Sequence, residues 1–161
     1  MDYLDIVLRL TASVFVGGLI GLDRNLHGKP TGIRTLGLVS LGACVLTLAG
    51  ADLLTGRGQA DPAAVSRVIQ GLVTGIGFLG SGVIIRESGS DRVRGLTTAA
   101  SIWITAILGV MCGLGSWPIA AIALFLVFVL FVCGKPIERT LHRRWLDKPE
   151  EEQQAITLHD E

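Results

Sequence analysis

The 161 residues are half apolar, only 17% charged and contain 21 glycines, at a mean hydropathy of +0.57. A soluble domain carries about 25% charged residues, so a surface that faces water all round is excluded. The formal net charge of zero carries no information alone, because what matters in a membrane protein is the side on which each charge lies.

In chain order there are five apolar segments, at 3–22, 33–54, 65–85, 96–114 and 117–133. Each is close to the roughly 20 residues that carry a helix across a hydrocarbon core about 30 Å thick. The expected fold class is all-α, a bundle of five transmembrane helices forming one domain over 1–134. The first segment has no basic leader and no small-x-small cleavage site, so it is expected as a retained span and not a signal peptide.

The first connection carries Arg24, Lys29 and Pro30, with Arg34 just beyond. The third carries Arg86, Arg92 and Arg94 against Glu87 and Asp91. Together with the basic stretch after the fifth segment, these odd connections hold 11 of the 14 lysines and arginines; Arg57 lies on the other side, with Arg9 and Arg67 near that interface. By the positive-inside bias the N-terminus is expected outside and the C-terminus in the cytoplasm of a bacterial inner membrane. After the last span, KPIERTLHRRWLDK at 135–148 places Ile137, Leu141 and Trp145 every four residues beside Arg139, Arg143 and Arg144. This reads as an amphipathic juxtamembrane helix, suited to an anionic leaflet or to plain anchoring. Residues 149–161 read as an acidic disordered tail.

Glycines in membrane helices let neighbours approach closely. Gly17 and Gly21 form one GxxxG, Gly71 and Gly75 a second that continues through Gly77, Gly80 and Gly82, and Gly109 and Gly113 a third. The first, third and fourth helices are therefore expected in the interior of the bundle. The density of glycine in the third also fits a segment that lines a wet cavity, and any of the three motifs could serve a homo-oligomer.

Ionisable groups inside a span are costly and are functional candidates by default. Asp5 and Arg9 can pair at i, i+4, and Asp52 and Arg67 lie close to span ends. On the basic side, Asp23, Arg24, Arg34, Thr35, Arg86, Arg94, Thr97 and Thr98 share one depth. There Asp23 is expected to pair with an arginine, and Thr97 or Thr98 to cap the fourth helix.

No acidic pair at helical spacing lies within a span, and His27, His142 and His159 have no ligand spacing; no metal site is expected. Cys44, Cys112 and Cys133, odd in number and without CxxC, fall in apolar runs and read as buried thiols. GLVTGIGFLGSG lacks the GK[ST] of a phosphate loop. No nucleotide or other cofactor, no nucleic-acid partner and no enzymatic activity are expected.

Two stretches, IGLDRNLHGKPTGIRTLGLVSLGACVLTLAG at 20–50 and VTGIGFLGSGVIIRESGSDRVRGLTTAASIWITAILGVMCGLG at 73–115, resemble the MgtC/SapB family of bacterial inner-membrane proteins. The resembling elements are the IGLDR helix exit, GIRT, GIGFLG and VRGLTTAA; Asp23 stands where the family usually has Glu. The resemblance implies an N-out, C-in five-helix domain. It also implies a part in adaptation to low magnesium and in virulence, by modulation of the proton-translocating ATP synthase and not by magnesium transport. The cytoplasmic domain of longer members is not expected here, and none of its roles carries over. A small oligomeric cation channel or transporter is the competing expectation, with Asp5 or Asp52 and the third helix along its path.

Overall fold

A computed structural model describes residues 2–52, 62–86 and 93–146. Five helices follow one another: α1 (Tyr3–Leu26), α2 (Ile33–Asp52), α3 (Pro62–Gly82), α4 (Leu96–Leu114) and α5 (Trp117–Leu146). Between α3 and α4 runs a minimal antiparallel hairpin, β1 (Ile85–Arg86) with β2 (Val93–Arg94), in which Ile85 faces Arg94. The chain divides into a unit at Met1–Leu124 and a second at Phe125–Glu161, with α5 beginning in the first.

By length and composition, four of these helices among the described residues are apolar enough to cross a membrane: α1, α2, α4 and α5. The all-α, five-helix membrane fold is therefore observed. The third helix carries Arg67 and Gln70 among its apolar and small residues.

The core belongs to α1, α2 and α4. Ile20, Leu36, Leu108 and Val110 are fully buried there, beside Ser13, Ser40, Thr47 and Thr105. A Cβ at Gly17 would collide with the Leu36 carbonyl and lie 2.8 Å from the Ser40 side chain; one at Gly21 would sit 2.6 Å from the Ile33 backbone. On α4, a Cβ at Gly109 would collide with the Ser40 carbonyl, and one at Gly113 would lie 2.8 Å from Thr47. The α1 and α4 glycine pairs thus both close on one stripe of α2, whose Ser40, Ala43, Cys44 and Thr47 recur at helical spacing and keep that helix thin.

The placement of α3 corrects the expected interior. Among the described residues a Cβ at Gly71, Gly75, Gly77 or Gly82 would meet nothing within 4 Å, and one at Gly80 only the Ala99 methyl at 3.7 Å. What replaces α3 in the centre is α2, because Ser, Ala, Cys and Thr permit nearly the same close approach as glycine.

These contacts also fix direction. Gly21 meets Ile33 and Gly17 meets Ser40, while the Cys44 thiol faces the Arg9 carbonyl, so α1 and α2 are antiparallel. Gly109 meets Ser40 and Gly113 meets Thr47, so α2 and α4 run the same way. At one end of α3, Val68 lies against Gly50 of α2; at the other, Gly80 lies against Ala99 of α4. The first four helices therefore alternate in direction, and the connections after α1 and after α3 lie at the same end.

Element ends differ from expectation where local chemistry intervenes. α1 runs one turn past residue 22 and closes on His27, whose N–H donates to the Asp23 carbonyl, with Gly28 at φ +62°. α3 stops at Gly82 and the chain turns into the hairpin, where the sequence predicts only a connection. The segment after 134 is helical to Leu146 as a continuation of α5 through Pro136. At 1.5 Å per residue, thirty residues reach about 45 Å, beyond the hydrocarbon thickness. The tail at 149–161 lies outside the described residues.

Candidate functional site

Arg24 is the centre of the site. It sits in the last turn of α1, yet only 3% of it is exposed, which is unusual for a cation because burying one costs a great deal unless every N–H finds a partner. Its Nε donates to the Pro30 carbonyl and the Thr31 hydroxyl, both at 3.1 Å. Its Nη2 donates to the same carbonyl at 2.9 Å and to Thr98 Oγ1 at 2.6 Å, and Nη1 donates to Ser101 Oγ at 2.9 Å. The planar fork of five N–H groups therefore joins three segments: the end of α1, the loop before α2 and the first turns of α4.

All these acceptors are neutral, which corrects the expected pairing of Asp23 with an arginine. The Asp23 carboxylate turns instead to His27, 3.4 Å away on the next helical turn. Successive residues of a helix point about 100° apart, so Asp23 and Arg24 cannot both face the bundle. Arg24 is helped by its position, since the C-terminal end of a helix carries the negative pole of the macrodipole.

The loop bears the cost of the arrangement. Thr31 has φ +65°, a region that a β-branched residue rarely occupies. It persists where the surroundings over-determine it, and here the Arg24 fork holds both its hydroxyl and the preceding carbonyl. On α4, Ser101 accepts from Arg24 while donating to the Thr97 carbonyl at 2.7 Å, so one hydroxyl serves two partners.

Other expected residues take different places. Arg34 and Thr35 are exposed in the first turn of α2, where with Asn25, Gly32 and Ile33 they line a cleft of about 510 Å³. Arg94 is exposed on β2 and Thr97 on the outer side of α4. The side chains of Asp52 and Arg86, at the ends of α2 and β1, lie outside the described residues. The expected cap by Thr97 or Thr98 is corrected: the N-cap of α4 is Gly95 at φ +94°, where any Cβ would collide with the Val83 carbonyl. That leaves Thr98 free to turn inward to Arg24.

The far end of the core has a second arginine anchor. Arg9 Nη1 donates to the Gly113 carbonyl at 2.7 Å, one of the carbonyls left over at the C-terminus of α4, and Arg9 Nε lies 3.0 Å from Asp5. Arg9 and Arg24 are fifteen residues apart on α1, as Gly113 and Thr98 are on α4. The antiparallel pair is thereby pinned at both ends over about 22 Å.

Pro30, Thr31 and Ser101 were not among the candidates read from the sequence. For Ser101 a signal existed, since Thr97, Thr98, Ser101 and Thr105 form a hydroxyl stripe at helical spacing on α4; for the loop there was none. Among the described residues no group of three or more His, Cys, Asp or Glu is placed to hold a metal ion.

The profile of the MgtC family matches residues 10–140. Protein SrpB of Synechococcus elongatus is 38% identical over 152 residues, covering 89% of this chain and 84% of that protein. Protein MgtC of Salmonella typhimurium is 40% identical over 121 residues, 75% of this chain, and protein MgtC of Brucella abortus 36% identical over 132 residues, 82% of this chain. The chain spans about half the length of these two MgtC relatives, 48% and 52%. No solved structure matches.

Proposed function

This chain belongs to the MgtC family, and from that premise we propose that it serves adaptation to low magnesium and ion and energy homeostasis by contact with another complex of the bacterial inner membrane. The proton-translocating ATP synthase is the partner the family resemblance favours. The connections after α1 and α3, which carry Lys29, Arg92 and Arg94, face the cytoplasm in this reading. A part in virulence follows only where a host imposes the magnesium shortage.

The observation that carries contact over conduction is the closure of the three-helix core. Gly17 and Gly109 both press on Ser40, and a cation moving along that seam would meet Arg9 at one end and Arg24 at the other. With its inside occupied in this way, the unit at Met1–Leu124 has its outer faces and its connections to act with.

Inverted membrane vesicles with and without the protein test the proposal. ATP-driven proton pumping is expected to change when the chain is present and to return to baseline with Arg24→Ala. Unchanged pumping at high expression, or Mg²⁺, K⁺ or H⁺ flux above empty liposomes from the purified chain, overturns it in favour of a channel or transporter.

A further inference from the structure

Two cations flank the loop between α1 and α2, and no carboxylate among the described residues pairs with either. Arg24 is buried, and every acceptor its guanidinium reaches is neutral; Asp23, its neighbour in the chain, is turned to His27. Arg34 lies in the first turn of α2, which holds no acidic residue, and among the described residues it has neither an ion pair nor a hydrogen bond. That end of a helix carries the positive pole of the macrodipole, where a cation is disfavoured and an anion is favoured. The positive-inside bias asks for basic residues on one side of a membrane. It does not ask for one at a positive pole, across a single loop from a buried arginine that lacks a counter-ion.

The cleft of about 510 Å³ opens at this point, and its polar lining is the Asn25 amide, the Arg34 guanidinium and the Thr35 hydroxyl. None of the three has a side-chain partner among the described residues, whereas Ser13, Thr47, Ser101 and Thr105 each donate to a carbonyl of their own helix. The Leu36 N–H is the first to close a turn, onto the Gly32 carbonyl, so those of Ile33, Arg34 and Thr35 have no acceptor within the helix. The apolar part of the wall is Ile33, and Leu22 and Leu26, on either side of Asn25 along α1, are exposed as well. We infer that this cleft binds a phosphate group, carried by an anionic phospholipid of the surrounding leaflet. A phosphate diester brings one negative charge and several acceptor oxygens to a lining of donors, and the exposed leucines give its acyl chains an apolar surface next to the headgroup. Arg24 is closed off by its own partners and acts on the anion through its charge alone, at a boundary where screening by water is weak. The inference is independent of the proposed partner complex.

The test uses the full-length chain in phosphatidylcholine nanodiscs that contain a small share of spin-labelled lipid. The motionally restricted fraction is expected to favour phosphatidylglycerol over phosphatidylcholine by about tenfold, the scale of one charge-assisted contact. Arg34 is exposed, so Arg34→Gln leaves the packing intact, and it is expected to remove most of that preference. Arg139→Gln, which deletes the same charge from an exposed position outside the cleft, is expected to leave the preference within a factor of about two at physiological ionic strength. Equal loss in the two variants reduces the effect to net charge and overturns the inference, as does equal restriction of both lipids by the parent chain. Inorganic phosphate, followed by equilibrium dialysis in discs of phosphatidylcholine alone, is expected to bind the parent chain no better than Arg34→Gln. Saturable binding that disappears with Arg34 would make the cleft a site for soluble phosphate and overturn its assignment to a lipid.

Discussion

Arg24 tests the residue-level account because its charge and its geometry can be separated. Arg24→Lys keeps the cation but replaces a planar fork by a point donor that cannot reach Pro30, Thr98 and Ser101 together. At roughly 1.5–3 kcal/mol for each hydrogen bond to a charged group, the expected loss is about 3 kcal/mol, read as a fall in melting temperature in detergent. Thr98→Val and Ser101→Ala should each cost about 1–3 kcal/mol, and the double variant less than their sum, since both serve one guanidinium. Full additivity would show that the two hydroxyls act separately. The sequence marks Arg24 and Thr98 as polar groups at a membrane boundary, but it cannot say that they meet. Seventy-four residues separate them, and Asp23 next door is the more obvious partner by charge alone. Which of two adjacent side chains turns inward is decided by helix phase relative to the bundle, and that phase is set by Gly17 and Gly21 against α2.

At the scale of elements, the glycines separate into two kinds that composition does not distinguish. Gly17→Leu and Gly109→Leu drive a side chain into the Leu36 and Ser40 carbonyls; overpacking costs typically 1–3 kcal/mol, and more is expected where the obstacle is backbone. The yield of folded protein after detergent extraction should fall sharply for both, and Gly77→Ala, whose Cβ meets nothing within 4 Å among the described residues, should behave as the parent chain. Gly95→Ala should destabilise α4 and its hairpin together, because the alanine would need φ +94° and room that the Val83 carbonyl occupies; faster amide hydrogen exchange over 83–98 checks it. The five helices were legible as five apolar runs, and the GxxxG pairs of α1 and α4 as close contacts. The centrality of α2 was not, because its Ser40, Ala43, Cys44 and Thr47 offer the same thinness without a glycine signature. Nor was the outward turn of α3, since glycine spacing reports a capacity for close approach and not which neighbour uses it.

For the whole molecule, the alternation of the first four helices follows from packing alone: Gly21 on Ile33, Gly109 on Ser40, Val68 on Gly50 and Gly80 on Ala99 leave no other threading. The distribution of arginine and lysine leads to the same pairing of connections by an unrelated route and adds the choice of side. The most direct measurement is labelling of single cysteines, Lys29→Cys, Asp91→Cys and Arg57→Cys in a Cys133→Ser background, with a membrane-impermeant maleimide applied to intact cells and to inverted vesicles. Positions 29 and 91 are expected to label only in inverted vesicles and position 57 only in intact cells. Labelling of 29 and 91 from opposite sides, or of all three from one, would contradict the account.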